Sequence, residues 1–451
     1  MRSISRAVPL FLALAALLPR AAAAQNDTTP GVRLRMTYEA QYSPGFVVLP
    51  FGGGGDAESV RAIVRRDLEL SDRFEMKDPP AGTAAAGERP DVSAWRERGA
   101  DWVLAGTVSQ TGDGATLRLT LYDAVYGQVK GTGAFGVPGR GSRGFRMAVH
   151  AASDAVVRWA TGQPGMAATR IAFVTAGRGS KEIYTVDSDG EGVSRVTSDG
   201  SIALSPAWSP DGRRLAYTSF KRGGVFLFER ELATGSERTV SGRDGINITP
   251  AYAPDGRTIA FGTTAGGNTE IALAGAGGLR TVTQSRRFEN LSPTFSPDGG
   301  RIAFVSDRLG EPAVYVMDAG GGEPRIVSDY TYGRRGYATS PDWSPAGPWI
   351  AYSSRVNGVP QIVVVGSDGR GGRLLTDRGR NEDPSWAPDG RHLVFASPDR
   401  DGGGLFVLDT VTGKVRTLVG GRGFGLPAWS PPLSRAGTAG TTGMPATSGT
   451  R

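Results

Sequence analysis

The sequence predicts an α/β N-terminal domain, with a mixed sheet and helices, followed by an all-β six-bladed propeller with circular closure. In the second half, a pattern centred on Ser-Pro-Asp-Gly recurs at the spacing of a propeller blade. In the first half, the spacing of apolar residues is instead typical of strands in some segments and of helices in others. The repeat region also begins and ends on incomplete units that complement each other.

The N-terminus has the pattern of a secretory signal peptide. Arg2 and Arg6 precede an apolar run at residues 7–18, which small residues follow up to Ala24. The run is shorter than the about 20 apolar residues that span a bilayer, so we expect export rather than a membrane anchor. Residues 1–24 are predicted to be removed near Ala24, which leaves residues 25–31 as a polar, flexible arm that is disordered in isolation.

Residues 32–165 are predicted to form the small α/β domain. Apolar strands are expected in "VRLRMTY", "FVVLPF" and "DWVLAGTVSQ", and a hairpin is expected to turn near Tyr126-Gly127. Helical spacing of apolar residues predicts helices in "DAESVRAIVRRDLEL", "DVSAWRERG" and "RGFRMAVHAASDAVVRWATG".

Residues 166–431 are predicted to form the propeller. The Ser-Pro-Asp-Gly segments are turns, since proline presets φ, aspartate bonds its own backbone and glycine accepts positive φ. An aromatic residue precedes each turn and apolar strands follow it, as expected for strands buried between blades. The repeats are marked by Pro210, Pro254, Pro297, Pro345, Pro388 and Pro431.

The two ends of this region predict how the ring closes. "TRIAFVT" at residues 169–175 begins a blade that lacks its first strand, whereas "LPAWSP" at residues 426–431 is a first strand that lacks its blade. Paired together they complete a sixth blade and remove an exposed edge. The Gly/Thr/Ala-rich residues 432–451 are predicted to be a disordered tail.

Composition and charge exclude several kinds of site. The chain contains no cysteine, which excludes disulfides and thiolate metal ligands. The formal net charge is +7, but arginines in the predicted propeller loops are nearly matched by acidic residues. A nucleic-acid track needs an excess of cations, so no nucleic acid is expected as a partner.

No cofactor, metal or catalytic centre is predicted. "GGGG" at residues 52–55 lacks the spacing of a phosphate-binding loop, and "DSDGEG" and "DRDG" lack the distant glutamate of a calcium loop. His150 and His392 are the only histidines and stand far apart in the chain. An exported propeller enzyme, or a ligand-binding module acting on a saccharide, stays open as the alternative function.

An ordered set of segments across both domains resembles the TolB family, the periplasmic components of the Tol-Pal envelope system. These segments are "VVLPF", "RRDLELSDRFEM", "WRERGADWVLAGTV", "LYDAVYGQVKG", "TGQPG" and "TRIAFVT", followed by the repeats. The resemblance implies a periplasmic scaffold without catalysis that supports outer-membrane integrity and cell division. It would associate with membranes only through its partners.

The resemblance also implies two partner sites. A Pal-like peptidoglycan-associated lipoprotein would bind at the propeller channel mouth, in the loops before the first strand of each blade. A TolA-like inner-membrane protein would bind the arm at Gln25, Asn26 and Asp27. The matching propeller positions are Asn247, Thr249, Asn290, Leu291, Ser292, Tyr337, Arg380, Asn381 and Glu382.

Overall fold

A computed structural model describes residues 42–85, 90–177, 179–285, 287–329 and 337–433. The predicted signal peptide, the arm, the "VRLRMTY" strand and residues 434–451 lie outside these ranges. Among the described residues, no helix has both the length and the apolar character needed to cross a membrane.

The α/β domain is a mixed sheet with helices on both faces. Its strands follow the order β3-β1-β4-β5-β6, with β2 beside β4; β1 pairs in parallel with β3 and β4, whereas β4-β5-β6 is antiparallel. The elements are β1 Gly45–Val48, β2 Gly52–Gly53, α1 Ala57–Leu70, β3 Glu75–Lys77, α2 Val92–Glu97, β4 Trp102–Thr111, β5 Gly114–Asp123, β6 Gln128–Pro138 and α3 Phe145–Thr161.

The apolar periods of the sequence explain this packing. Val60 and Val64 of α1 and Val156 of α3 are buried with Phe46 and Leu104 of the sheet, while α2 packs partly buried apolar residues against the other face. The "GGGG" segment also has a structural role. A Cβ on Gly53 would collide with the carbonyl oxygen of Val108, so β2 can approach β4 only as glycine.

Six four-stranded antiparallel blades follow, which confirms the predicted fold class. Blade 1 joins β30 Phe424–Trp429 to β7 Arg170–Ala176, β8 Lys181–Asp187 and β9 Ser194–Arg195. Blade 2 is β10 Ala203–Trp208, β11 Arg214–Ser219, β12 Phe226–Glu231 and β13 Glu237–Ser241. Blade 3 is β14 Asn247–Tyr252, β15 Ile259–Gly266, β16 Asn268–Gly275 and β17 Gly278–Thr281.

The other three blades repeat the arrangement. Blade 4 is β18 Asn290–Phe295, β19 Arg301–Ser306, β20 Ala313–Asp318 and β21 Arg325–Ile326. Blade 5 is β22 Ala338–Trp343, β23 Trp349–Val356, β24 Val359–Gly366 and β25 Arg373–Leu374. Blade 6 is β26 Glu382–Trp386, β27 His392–Ser397, β28 Gly404–Asp409 and β29 Val415–Gly420, with a short 3₁₀ turn at Arg400–Gly402.

The strands of a blade alternate in direction, so each blade has two ends. We call one the turn end. It holds the turns between the first and second strands (residues 209–213 in blade 2) and the third turns, which join the third and fourth strands (residues 232–236 in blade 2). The other is the loop end, where the second-to-third connections (residues 220–225) and the loops into the next blade (residues 242–246) lie.

The ring closes as the incomplete repeats predict. Trp429 of β30 pairs with Ile171 of β7, and the Trp429 indole donates to Thr169 Oγ1 at 2.7 Å. The Leu433 N–H, within the predicted tail, donates to the Ala168 carbonyl at 2.8 Å. The final strand therefore belongs to the first blade.

Deleting residues 426–451 should unfold or aggregate the propeller, because it removes the closing strand and exposes the edge of β7. Deleting only residues 436–451 should leave the thermal unfolding midpoint within a few degrees of the full chain. Circular dichroism melting and size-exclusion chromatography measure both outcomes. Equal behaviour of the two truncated proteins would contradict closure through β30.

Candidate functional site

The first strands of the six blades surround a central channel. Its cavity has a volume of about 460 Å³ and is lined mainly by these strands and by the prolines of the Ser-Pro turns. Each first strand also contains a proline of its own, at Pro206, Pro250, Pro293, Pro341, Pro384 or Pro427. The residue before this proline has a positive φ of 49–54° and sits at a break in strand register. These six channel-lining residues are Ser205, Thr249, Ser292, Ser340, Asp383 and Leu426.

Proline explains the repeated bulge. It has no N–H to give to a strand ladder, so a bulge accommodates it. The residue before it adopts a backbone conformation that non-glycine residues rarely occupy, which requires support from its surroundings. Part of that support crosses between blades: the Ser292 N–H donates to Thr249 Oγ1 at 3.1 Å, and Ser340 Oγ donates to Asp383 Oδ1 at 2.7 Å.

Two carboxylates lie along the channel. Burial raises the pKa of Asp342 to about 6, although its carboxylate accepts the Trp386 N–H at 2.7 Å. Burial likewise raises the pKa of Asp383. Within the described part of the chain, neither carboxylate forms an ion pair with a lysine or arginine. The channel wall therefore combines prolines and aromatic rings with two buried acidic groups that are hydrogen-bonded but not ion-paired.

The predicted asparagines are buried. Asn247 is 0% exposed: its Nδ2 donates to the carbonyls of Val225 and Arg243 at 3.0 Å, and its Oδ1 accepts the hydroxyls of Ser241 and Thr263. The side chain thus ties a loop to the blades beside it.

Asn290 and Asn381 are also fully buried, in the equivalent position of other blades. Asn290 Nδ2 donates to Glu270 Oε2 at 2.9 Å, and Asn381 Nδ2 donates to Gln361 Oε1 at 2.8 Å. These side chains fix the loops rather than present a contact surface. Their spacing marks a repeated position, but the sequence does not distinguish a buried loop anchor from an exposed contact.

The other predicted residues fall into two places. Thr249 and Ser292 belong to the channel bulges, and Leu291, between Asn290 and Ser292, is partly buried. The remaining three, Tyr337, Arg380 and Glu382, line one groove of about 350 Å³ between blades 5 and 6. Gln25, Asn26 and Asp27 lie outside the described residues.

The groove is polar and opens at the loop end. The Arg355 guanidinium lies 4.1 Å from the centroid of the Tyr337 ring, in a cation–π contact. Arg380 pairs with Glu382 at 2.9 Å, and both side chains remain partly exposed. Sequence reasoning missed Arg355, because it lies near the loop end of β23 and carries no repeat signal.

The α/β domain occupies part of the turn end. Arg391, beside the first turn of blade 6, donates to the Asp72 carbonyl at 2.6 Å, and Lys414 pairs with the Asp72 carboxylate at 2.7 Å. Arg66 donates to the carbonyl of Asp189 in a third turn of blade 1 at 2.7 Å. The groove and the loops that hold the predicted residues therefore lie at the opposite end of the propeller from this domain.

Both domains match family profiles. The profile described as the TolB beta propeller domain matches residues 158–433, and that of the TolB amino-terminal domain matches residues 33–129. Among curated proteins, a Tol-Pal system protein TolB from Polaromonas sp. is 36% identical over 185 residues, 41% of this chain and 43% of that protein. The one from Geobacter sulfurreducens is 40% identical over 171 residues, 36% of this chain and 39% of that protein.

These matches to curated relatives thus span less than half of the relatives' length. The crystal structure of TolB from Acinetobacter baumannii superposes with a TM-score of 0.74 at 27% identity, over 88% of this chain and 100% of that one. Both domains, in the order predicted from the sequence, are thereby accounted for, and the chain belongs to the TolB family.

Proposed function

We propose that this chain is a non-catalytic scaffold of the Tol-Pal system in the periplasm. A Pal-like peptidoglycan-associated lipoprotein binds at the loop end of the propeller, and a TolA-like protein binds the arm at residues 25–27. Through these contacts the chain supports outer-membrane integrity and cell division. The observation that carries the proposal is the convergence of Tyr337, Arg380 and Glu382 in one groove at the loop end.

The loop end of the propeller as a whole supports a protein partner. Four of the large apolar side chains that remain exposed lie at the loop end, namely Phe220, Ile246, Leu309 and Val359, at 37–48% exposure. Mixed charges with scattered apolar contacts are typical of a polar protein interface. Both histidines are buried away from the channel lining, which disfavours the alternative of a histidine-dependent saccharide enzyme.

Arg380→Glu should weaken binding of the purified chain to a soluble peptidoglycan-associated lipoprotein domain from the same cell by roughly fivefold or more, which is a loss of about 1 kcal/mol or more of binding free energy. The change reverses a groove charge and repels Glu382. Isothermal titration calorimetry measures the affinity. Arg257→Glu, a matched charge reversal at an exposed turn-end position, should change it less than twofold. Equal losses in both variants would contradict a loop-end site.

Asn381→Ala should lower the free energy of unfolding by about 1–3 kcal/mol, because it removes two hydrogen bonds of a fully buried side chain, from Asn381 Nδ2 to the Arg378 carbonyl and to Gln361 Oε1. Its neighbour Arg380 is exposed, so Arg380→Ala should change that free energy by no more than about 0.5 kcal/mol. Urea unfolding followed by fluorescence compares the two. An Asn381→Ala protein of undiminished stability would restore Asn381 as a candidate contact residue.

Removing residues 25–31 should abolish capture of a TolA-like domain and leave the affinity for the lipoprotein domain unchanged, because the proposed sites are separate. Pull-down and calorimetry on the same preparation measure both. Retained capture of the TolA-like domain would exclude the arm as its site.

A further inference from the structure

The chain has two histidines, and both lie in the interface between the α/β domain and the propeller. His150 belongs to α3, and His392 begins β27. Both are 0% exposed, and in both the Nε2 atom has no hydrogen-bond partner among the described residues. A buried polar atom without a partner is costly, so the two atoms need an explanation.

His150 lies between carboxylates of the two domains. Its Nδ1 is 2.9 Å from Asp67 Oδ2 in α1, and its Nε2 points toward Asp187 Oδ2 of blade 1, at 4.0 Å. Arg146 pairs with Asp187 at 3.3 Å and also with Asp189. The charged groups around this imidazole are Asp67, Arg146, Asp154, Arg170, Asp187 and Asp189, and Arg170 pairs with Asp187 at 2.9 Å.

His392 has the reciprocal arrangement, with the histidine on the propeller. Its Nδ1 is 2.7 Å from Asp389 Oδ2, and its Nε2 is 3.4 Å from Asp72 Oδ2, just beyond α1. The charged groups facing this imidazole are Asp72, Arg73, Asp389, Arg391, Asp409 and Lys414.

Protonation decides how many of these carboxylates a histidine can hold. A neutral imidazole donates one N–H, whereas an imidazolium donates two. Each ring here faces a carboxylate of its own domain on one nitrogen and a carboxylate of the other domain on the second. We propose that His150 and His392, when protonated, hold the α/β domain on the propeller, and that this docking weakens as pH rises.

The direction of each pKa agrees with this geometry. Burial alone would lower the pKa of both histidines, but the surrounding carboxylates outweigh it and raise the pKa above the usual value. A group whose pKa is raised on docking stabilises the docked state below its free pKa and loses that effect as pH rises through the docked pKa. Burial also raises the pKa of Asp154 to about 7, which acts in the same direction.

A bound metal ion explains the groups of carboxylates around His150 and His392 less well than protonation does. Arg391 already holds Asp409 at 2.7 Å, and Lys414 already holds Asp72 at 2.7 Å. The half-buried Arg416 adds a further positive charge that interacts with Asp72 and Asp189. A divalent cation would meet these charges, whereas a proton on each imidazole leaves the carboxylates paired.

The titration of the two histidines is directly measurable, because the chain gives only two imidazole Cε1–H signals in NMR. We expect both pKa values to lie above about 6.5, and a histidine pKa that docking raises by about one makes docking about tenfold more favourable. Domain separation is measured in parallel by electron spin resonance distances. The chain lacks cysteine, so nitroxides on Ala62→Cys and Val193→Cys, both exposed and one in each domain, are the only labels.

The distance distribution should be narrow at about pH 5.5 and broaden at about pH 9, and the double variant His150→Gln/His392→Gln should abolish this response. Glu237→Gln, which breaks ion pairs to Lys221 and Arg230 within blade 2, should keep it.

A distribution that stays constant with pH, or histidine pKa values at or below about 6.5, overturns the proposal. So does a pH response that survives in the double variant, or a response to EDTA at constant pH, which would assign the clusters to a metal. The measurements on the unsubstituted histidines decide the question even if the double variant does not fold.

Discussion

The ladder between Phe424–Trp429 and Arg170–Ala176 is the constraint on which the propeller depends. Every blade buries its faces against the next, and the six apolar clusters between neighbouring blades form a ring only if blade 1 is complete. Each large side chain buried there contributes about 1.5–3 kcal/mol. Without the final strand, one of these six clusters would lose Trp429 and β7 would present a bare edge.

The repeat spacing predicts this architecture well because a blade is a local unit. Turn residues and apolar strands lie within one repeat, so the sequence carries them directly. The incomplete ends predict the closure for the same reason. The site was less predictable. Asn247 and Arg380 both stand where a loop enters a first strand, yet Asn247 is buried and Arg380 is exposed. That difference arises from partners in other strands, such as Thr263, which loop position alone does not encode.

The contacts between domains differ in kind from those between blades. In the described residues, no apolar cluster combines side chains of α1–α3 with those of the blades. The domains meet instead through ion pairs, several of them deeply buried, such as Arg73 with Asp389 at 3.5 Å. Burial lowers the pKa of Arg416, beside this interface, to about 10.

The difference between apolar contacts within the ring and ion pairs between the domains decides which part of the molecule responds to pH. Apolar burial does not change with protonation, so the ring should keep its shape over the pH range in which histidine titrates. A buried ion pair adds little net stability while intact, but removing one partner costs about 3–5 kcal/mol, because the other charge stays buried. At the domain interface that partner is an imidazole in two places, so loss of two protons acts directly on contacts that join the α/β domain to blades 1 and 6. The two parts of the molecule therefore differ in their response to pH. The ring fixes the loop-end groove, whereas loss of a proton at the interface alters how the two domains are held together.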